Sequence, residues 1–242
     1  MQEKYGLNAL QLKLGMAVLM VFDHITTIPG LVNSDWTGLL HLLTRPVAAW
    51  FAFAAVEGFI YTRNRWLYIR RLLTWGALMW AGNSVLNLFL VSKGLLVENN
   101  IFLTLACGVL LLKCWFDSST IWSYVGGILV CVVGLLFTEG GLVLIPFMLI
   151  SYLCRNNVKK RNAWYLLLTV VLFSMSIVIY PTWQETLQML VYNSDWAFIS
   201  VFPFLYLYNG ERGKVSFWSK YFFYVFYPLH LWLIALLAYF VS

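Results

Sequence analysis

Asp23 and His24 stand side by side near the end of an otherwise apolar run that opens the chain. A carboxyl and an imidazole are natural groups for proton transfer, and each is costly at membrane depth, so an adjacent pair there marks a functional site by default. Few other ionisable groups fall within apolar runs: His41, Arg45, Glu57 and His230. His41 and Arg45 are spaced i, i+4 and share one helix face. The short turn from Pro29 to Asp35 can bring them back beside Asp23 and His24. Helix neighbours point about 100° apart, so Asp23 and His24 should reach different partners. A carboxylate at that depth needs a cation, and Arg45 is the nearest, so an Asp23–Arg45 clamp would free His24 to face a cavity. The plainer alternative is a His24 that bonds a backbone carbonyl across helices. For His230, just beyond Pro228, that alternative is as strong as a site role, because proline frees carbonyls that an imidazole can satisfy. Glu57, beside Gly58, is placed to pair with Arg63 or Arg70.

A second cluster gathers Thr62, Arg63, Asn64, Arg65, Tyr68, Arg70 and Arg71. Its ordinary reading is a cytoplasmic anchor. Arg63 and Arg70, however, are two turns apart on one face if the helix is continuous, with Tyr68 nearby, and guanidinium forks bind phosphate in bidentate fashion. That face could hold a phosphorylated cofactor. Cys107, Cys114, Cys131 and Cys154 lack metal-type spacing, so no metal is expected, and Cys107 and Cys114, roughly 10 Å apart along one helix face, are too distant for a disulfide.

The elements that must position these groups are membrane helices. With 62% hydrophobic and 11% charged residues and a mean hydropathy of +0.78, the 242 residues lack the polar surface of a soluble globule. Nine apolar segments stand out, at about 8–28, 38–61, 67–91, 100–115, 120–137, 141–154, 163–180, 192–208 and 217–241. The first carries Asp23 and His24 at full spanning length and is read as a retained helix, not a signal peptide. With the N-terminus inside, inner loops collect nearly all of the 16 basic residues, from Lys4 and Lys13 through Arg155, Lys159, Lys160 and Arg161 to Arg212, Lys214 and Lys220. Those that fall within the segments, Lys13, Arg70, Arg71, Lys113 and Lys220, lie toward their inner ends; only Lys93 falls outside and only Arg45 near the outer end of a span. Asp35, Glu98, Glu139, Glu185 and Asp195 face outward. This asymmetry places the N-terminus in the cytoplasm and the C-terminus outside, and it explains the net charge of +6 without a nucleic-acid partner. One all-α, polytopic helical domain over residues 1–242 is the economical architecture, with membrane lipid as its surroundings.

Several blocks, in order, resemble the TraX family, whose name-giving member acetylates pilin at its amino terminus. They are Leu12-Lys13, Met20 and Asp23-His24-Ile25; then Arg45, Phe51, Phe53, Glu57-Gly58-Phe59, Thr62-Arg63-Asn64, Tyr68 and Arg71-Leu72; then Asn100-Ile101-Phe102 with Leu103-Thr104; then Tyr208-Asn209-Gly210-Glu211-Arg212-Gly213; and finally Tyr224, Phe226 and Tyr227-Pro228-Leu229-His230. Departures fall at Gly15, Met16, Thr44, Pro46, Ala48-Ala49 and Glu211, and they bear on the acceptor more than on the chemistry. The family is remotely similar to type-3 membrane acyltransferases. That resemblance implies His24 as the catalytic histidine, supported by Asp23 and Arg45; His230 joins the candidate catalytic residues on its own cost within a membrane helix. It implies that Arg63, Arg70 and Arg71, with Asn64 and Tyr68 in the same block, hold acetyl-CoA.

The implied activity is transfer of an acetyl group from cytoplasmic acetyl-CoA to an amine or hydroxyl at the outer side of the inner (cytoplasmic) membrane of a bacterial cell envelope. The acceptor would be a peptide amino terminus, a glycan, a lipid-linked molecule or another small molecule. Neutral His24 would act as general base, with His41, Arg45 or Asn100 stabilising the oxyanion. A transient acetyl-histidine is the other route. The competing classes are a small-solute transporter, which expects a polar path across the bilayer, and a noncatalytic assembly protein.

Overall fold

The regular structure of the described residues is helical, in chain order α1 (Ala9–His24), α2 (Ser34–Thr44), α3 (Pro46–Tyr61), α4 (Arg65–Leu90), α5 (Ile101–Phe116), α6 (Ile121–Phe137), α7 (Gly141–Leu153), α8 (Val158–Ser176), α9 (Trp183–Tyr192), α10 (Phe202–Leu207) and α11 (Phe217–Val241). The computed structural model describes residues 6–214 and 216–242, apart from the side chains of Ser34, Asp35, Phe217, Trp218 and Lys220. Lys4 and the side chains of Asp35 and Lys220, assigned above to loops or helix ends, lie outside the described residues. No strand occurs among the described residues; one isolated bridge joins Leu7 to Tyr208.

Three segments, Ala9–Thr27, Trp36–Tyr61 and Tyr221–Val241, are long and apolar enough to cross a membrane, and Ile101–Phe116, Ile121–Phe137, Gly141–Leu153 and Ser194–Leu207 are shorter apolar helices. Large side chains such as Leu88, Phe89, Trp122, Ile128 and Phe240 are bare on the outside, a surface that suits lipid and not water. This is a helical membrane protein. Helices α4 and α8, over the expected segments 67–91 and 163–180, are in neither group, and two other expected segments are interrupted. The second is broken at Arg45, because Pro46 opens α3 at its first turn, where a missing N–H costs nothing. The stretch before Tyr208 is not one helix: α9 precedes it, its first turn capped by Thr182 on Glu185 N, and a 3-10 run over Ser194–Val201 leads into α10.

Helix α3 forms the centre of the core. It packs on α1, α5, α7 and the Ser194–Val201 run. Ala49, Ala52 and Phe59 on it are fully buried. Alanines at such positions let neighbouring backbones approach closely, which drives helix association where lipid removes the hydrophobic gradient. Around it lie Leu12, Met16 and Met20 of α1, Ile69 and Leu72 of α4, Phe102 and Leu105 of α5, and Tyr227 and Leu231 of α11.

The start of α1 is stitched to the segment before α11. Leu7 N donates to Leu207 O (2.7 Å), Asn209 N to Leu7 O (3.0 Å) and Ala9 N to Glu211 O (2.8 Å). Asn8 caps α1 in a capping box with Gln11. Gly213, at φ +79°, lies so close that a Cβ there would stand 2.6 Å from Asn8 Oδ1. The Tyr208–Gly213 block therefore registers α11 against α1, and those two helices carry the two histidines described next.

Candidate active site

Asp23 sits in the last turn of α1 and turns toward α2. Its Oδ1 accepts a hydrogen bond from Thr44 Oγ1 (2.6 Å) and pairs with His41 Nδ1 (2.8 Å). His41 and Thr44, three apart, share the α2 face that meets α1, whereas Arg45 is rotated about 100° from Thr44. The Asp23–Arg45 clamp is accordingly absent. Arg45 reaches the 3-10 run instead, donating from Nε to Ser194 Oγ (2.9 Å) and from Nη1 to Asp195 Oδ1 (3.3 Å). It stands one residue from the carboxylate's own partners yet serves as a brace between α2–α3 and the segment preceding α10.

His24 faces away from Asp23's partners, toward α11, where its ring centroid lies 5.4 Å from that of His230. His230 Nδ1 contacts Phe226 O at 2.9 Å, and its ring stacks on Phe226 with centroids 4.9 Å apart. His230 is buried, and its Nε2 has no hydrogen-bond partner.

Below His230, Tyr227 donates to Glu139 Oε2 (3.1 Å). The same oxygen accepts from Asn100 N (2.5 Å), and Oε1 accepts from Asn99 Nδ2 (2.7 Å). Glu139, expected to face outward as a loop acid, is an exposed residue that commits its carboxylate to the node joining the α6–α7 turn, the start of α5 and α11. Thr104 Oγ1 ties the same turn by donating to Glu139 O (2.7 Å). Sequence reasoning missed Glu139; the signal was an acid alone between two apolar helices. Asn100, an oxyanion candidate, already spends its backbone N–H on Glu139 and its amide on Gly76 O (2.9 Å), so those donors hold the start of α5.

The basic cluster is divided. Asn64 is the N-cap of α4, accepting from Leu67 N (2.9 Å), so the helix begins after Arg63. Arg63 and Arg70 therefore do not share a continuous helix face. Arg63 lines a polar cleft of about 410 Å³ with Thr62, Asn64, Arg65, Lys113 and Asp117. Asp117 there pairs with Arg65 and with Lys113 Nζ (2.7 Å). Arg70 is exposed. Arg71 points inward, donates to Tyr224 Oη (3.1 Å) and lies over the rings of Tyr68 and Tyr224 at 5.4 and 5.5 Å. Glu57 pairs with neither Arg63 nor Arg70: its carboxylate meets Tyr208, with Arg161 nearby. The reason is rotation. Gly58 is the α3 residue that faces α4, where a Cβ would come 2.9 Å from Tyr68 Oη, and Glu57 points about 100° away.

An aromatic column joins the arginine to the histidines. Tyr224 stacks on Trp75 (5.7 Å) and Phe102 (5.6 Å), Phe102 meets Tyr227 edge-on (5.2 Å), and Tyr227 lies 5.8 Å from His230. Along α11, Tyr224 and His230 are separated by about 9 Å of helix rise. The site thus has a cationic end at Arg71, an imidazole end at His24 and His230, and packed rings between them.

The four cysteines are free. Among the described residues no group of His, Cys, Asp and Glu is placed to hold a metal ion. The family model described as TraX protein matches residues 9–238. No curated protein and no solved structure matches the chain.

Proposed function

The chain belongs to the TraX family, and on that premise we propose that it is a membrane acetyltransferase that moves an acetyl group from cytoplasmic acetyl-CoA to an acceptor amine or hydroxyl at the outer side of the inner membrane. A family associated with pilin acetylation makes a peptide amino terminus one fitting acceptor and a glycan another. The observation that carries the reading is the column from Arg71 through Tyr224, Phe102 and Tyr227 to the paired rings of His24 and His230. A donor with an anionic phosphate head and a reactive thioester at the far end of a long arm needs cationic and basic groups at separated ends of one path.

In this reading Arg71 binds phosphate, with Arg63 and Arg70 at the cleft and the exposed face of α4 giving long-range attraction. Tyr68 and Asn64 act indirectly, Tyr68 by packing under Arg71 and Asn64 by starting the helix that carries it. His24 takes the proton of the acceptor N–H or O–H as that atom attacks the thioester carbonyl. The carbonyl becomes tetrahedral, the C–S bond breaks, coenzyme A departs as thiolate, and the proton on His24 returns to it. A positioned base of this kind contributes typically ~10²- to 10⁴-fold. Asp23, held by His41 and Thr44, fixes the last turn of α1 and hence the place of His24. The bias of basic residues toward the loops on the Arg71 side supports a cytoplasmic arginine end, with the N-terminus inside and the C-terminus outside.

The test is release of the coenzyme A thiol from acetyl-CoA by purified protein offered peptide amines and sugar hydroxyls. Turnover with one acceptor class, lost in His24→Ala, is the expected result. Equal thiol release by wild type and His24→Ala would overturn the assignment.

A further inference from the structure

The hydrogen bonding of His230 assigns the ring proton to one of its nitrogens. Nδ1 lies 2.9 Å from Phe226 O, and a carbonyl oxygen can only accept, so Nδ1 is the donor. In the neutral ring Nε2 is then a bare lone pair. That atom is buried and unpartnered, a costly condition that structures rarely keep without a use.

Repair of the proline break does not account for the bond. Pro228 deprives the carbonyl four residues earlier, that of Tyr224, whereas the imidazole bonds Phe226 O, whose helical donor is the backbone N–H of His230 itself. What the bond does is fix the ring. The stack on Phe226 holds one face, and the Tyr227–Glu139 bond holds the turn beneath. The titratable groups nearest the ring are His24 of α1, with Asp23 and its partner His41 of α2 behind it, and Tyr227 on its own helix with its partner Glu139 of the α6–α7 turn.

We propose that His230 seats the acceptor: its Nε2 accepts a hydrogen bond from the attacking amine N–H or hydroxyl O–H, holding that atom beside His24. This rests on the acetyl-transfer reading and adds a distinct role to it. His24 removes a proton, and His230 orients the nucleophile while staying neutral. An acceptor without an N–H or O–H would have no seat.

Two measurements test this. The chain has 3 histidines, so the imidazole ¹⁵N resonances of labelled protein in nanodiscs can be assigned by single substitution. The expected finding is a neutral His230 with its proton on Nδ1; a proton on Nε2 instead would overturn the proposal. The second uses acetyl-CoA with hydroxylamine as the probe nucleophile, following hydroxamate above the protein-free rate. His230→Asn keeps an amide N–H near the Nδ1 position, able to bond Phe226 O, but has nothing where Nε2 stands. It should retain the wild-type thermal midpoint and acetyl-CoA affinity and lose about tenfold or more in kcat/KM for hydroxylamine. His230→Gln, which can place an oxygen near Nε2, should recover part of that loss. His230→Asn equal to wild type in turnover would make the ring a helix filler and end the proposal. If wild type forms no hydroxamate, the acetyl-transfer reading fails and this inference falls with it.

Discussion

The Asp23 site lends itself to a double-mutant cycle, because its partners differ from those that helix spacing alone suggests. Thr44→Val removes the donating hydroxyl at nearly constant shape, and Asp23→Ala removes the acceptor. Interhelical hydrogen bonds in membranes average roughly 0.6 kcal/mol in such cycles, and an ionised acceptor about doubles the strength. The 2.6 Å Thr44–Asp23 bond should therefore show a coupling of about 1 kcal/mol. Arg45→Ala paired with Asp23→Ala should show coupling near zero, since Arg45 spends itself on Ser194 and on Asp195, whose side chain is 59% exposed. Unfolding in mixed micelles, measured for wild type, the three single variants and both doubles, gives both couplings. A larger coupling for Asp23 with Arg45 than for Asp23 with Thr44 would refute the arrangement and restore the clamp.

Gly213→Ala should lower the thermal midpoint, because it combines the left-handed backbone cost of roughly 1–2 kcal/mol with the close approach to Asn8. Gly15→Ala, a helical position with open space around it, should be neutral or stabilising by up to about 1 kcal/mol. For Asp117, the hydrogen bond from Lys113, reinforced by the Arg65 guanidinium, holds the carboxyl below the usual carboxylate range. A carboxyl depressed in the folded state contributes stability fully above its unfolded value near ~4 and loses it as pH falls through the lower folded value. The thermal midpoint of wild type should thus exceed that of Asp117→Asn at neutral pH, and the gap should close only in acid; a gap that persists unchanged at the lowest pH would contradict the pairing.

Much of the helical layout was legible because apolar runs and Gly and Pro breaks are local properties. Side-chain partnerships were less so. Whether Arg45 or Thr44 meets Asp23 depends on a rotation of about 100° around α2, which spacing alone leaves open. Asn64 shows the same limit. Read as part of a phosphate-binding face, it is the cap that starts α4 and puts Arg63 off the helix. Glu139 looked like a surface acid because its loop is short and lies between two apolar helices, and only the folded chain shows its carboxylate gathering α5, the α6–α7 turn and α11. His230 was visible as a site candidate from its cost in a membrane helix. Its tautomer, and the distinction from proline repair, required the contact with Phe226.

The most direct measurement is calorimetric titration of purified protein with acetyl-CoA, run in parallel on wild type, Arg71→Ala and His24→Ala. Losing a charge-assisted contact worth about 1.5–3 kcal/mol should weaken binding by roughly 10- to 100-fold in Arg71→Ala. His24→Ala, at the other end of the aromatic column, should bind as wild type does while failing to turn over. Absence of binding in wild type, or an affinity unchanged by Arg71→Ala, would contradict the account of a donor held by its phosphates at one end and attacked at the other.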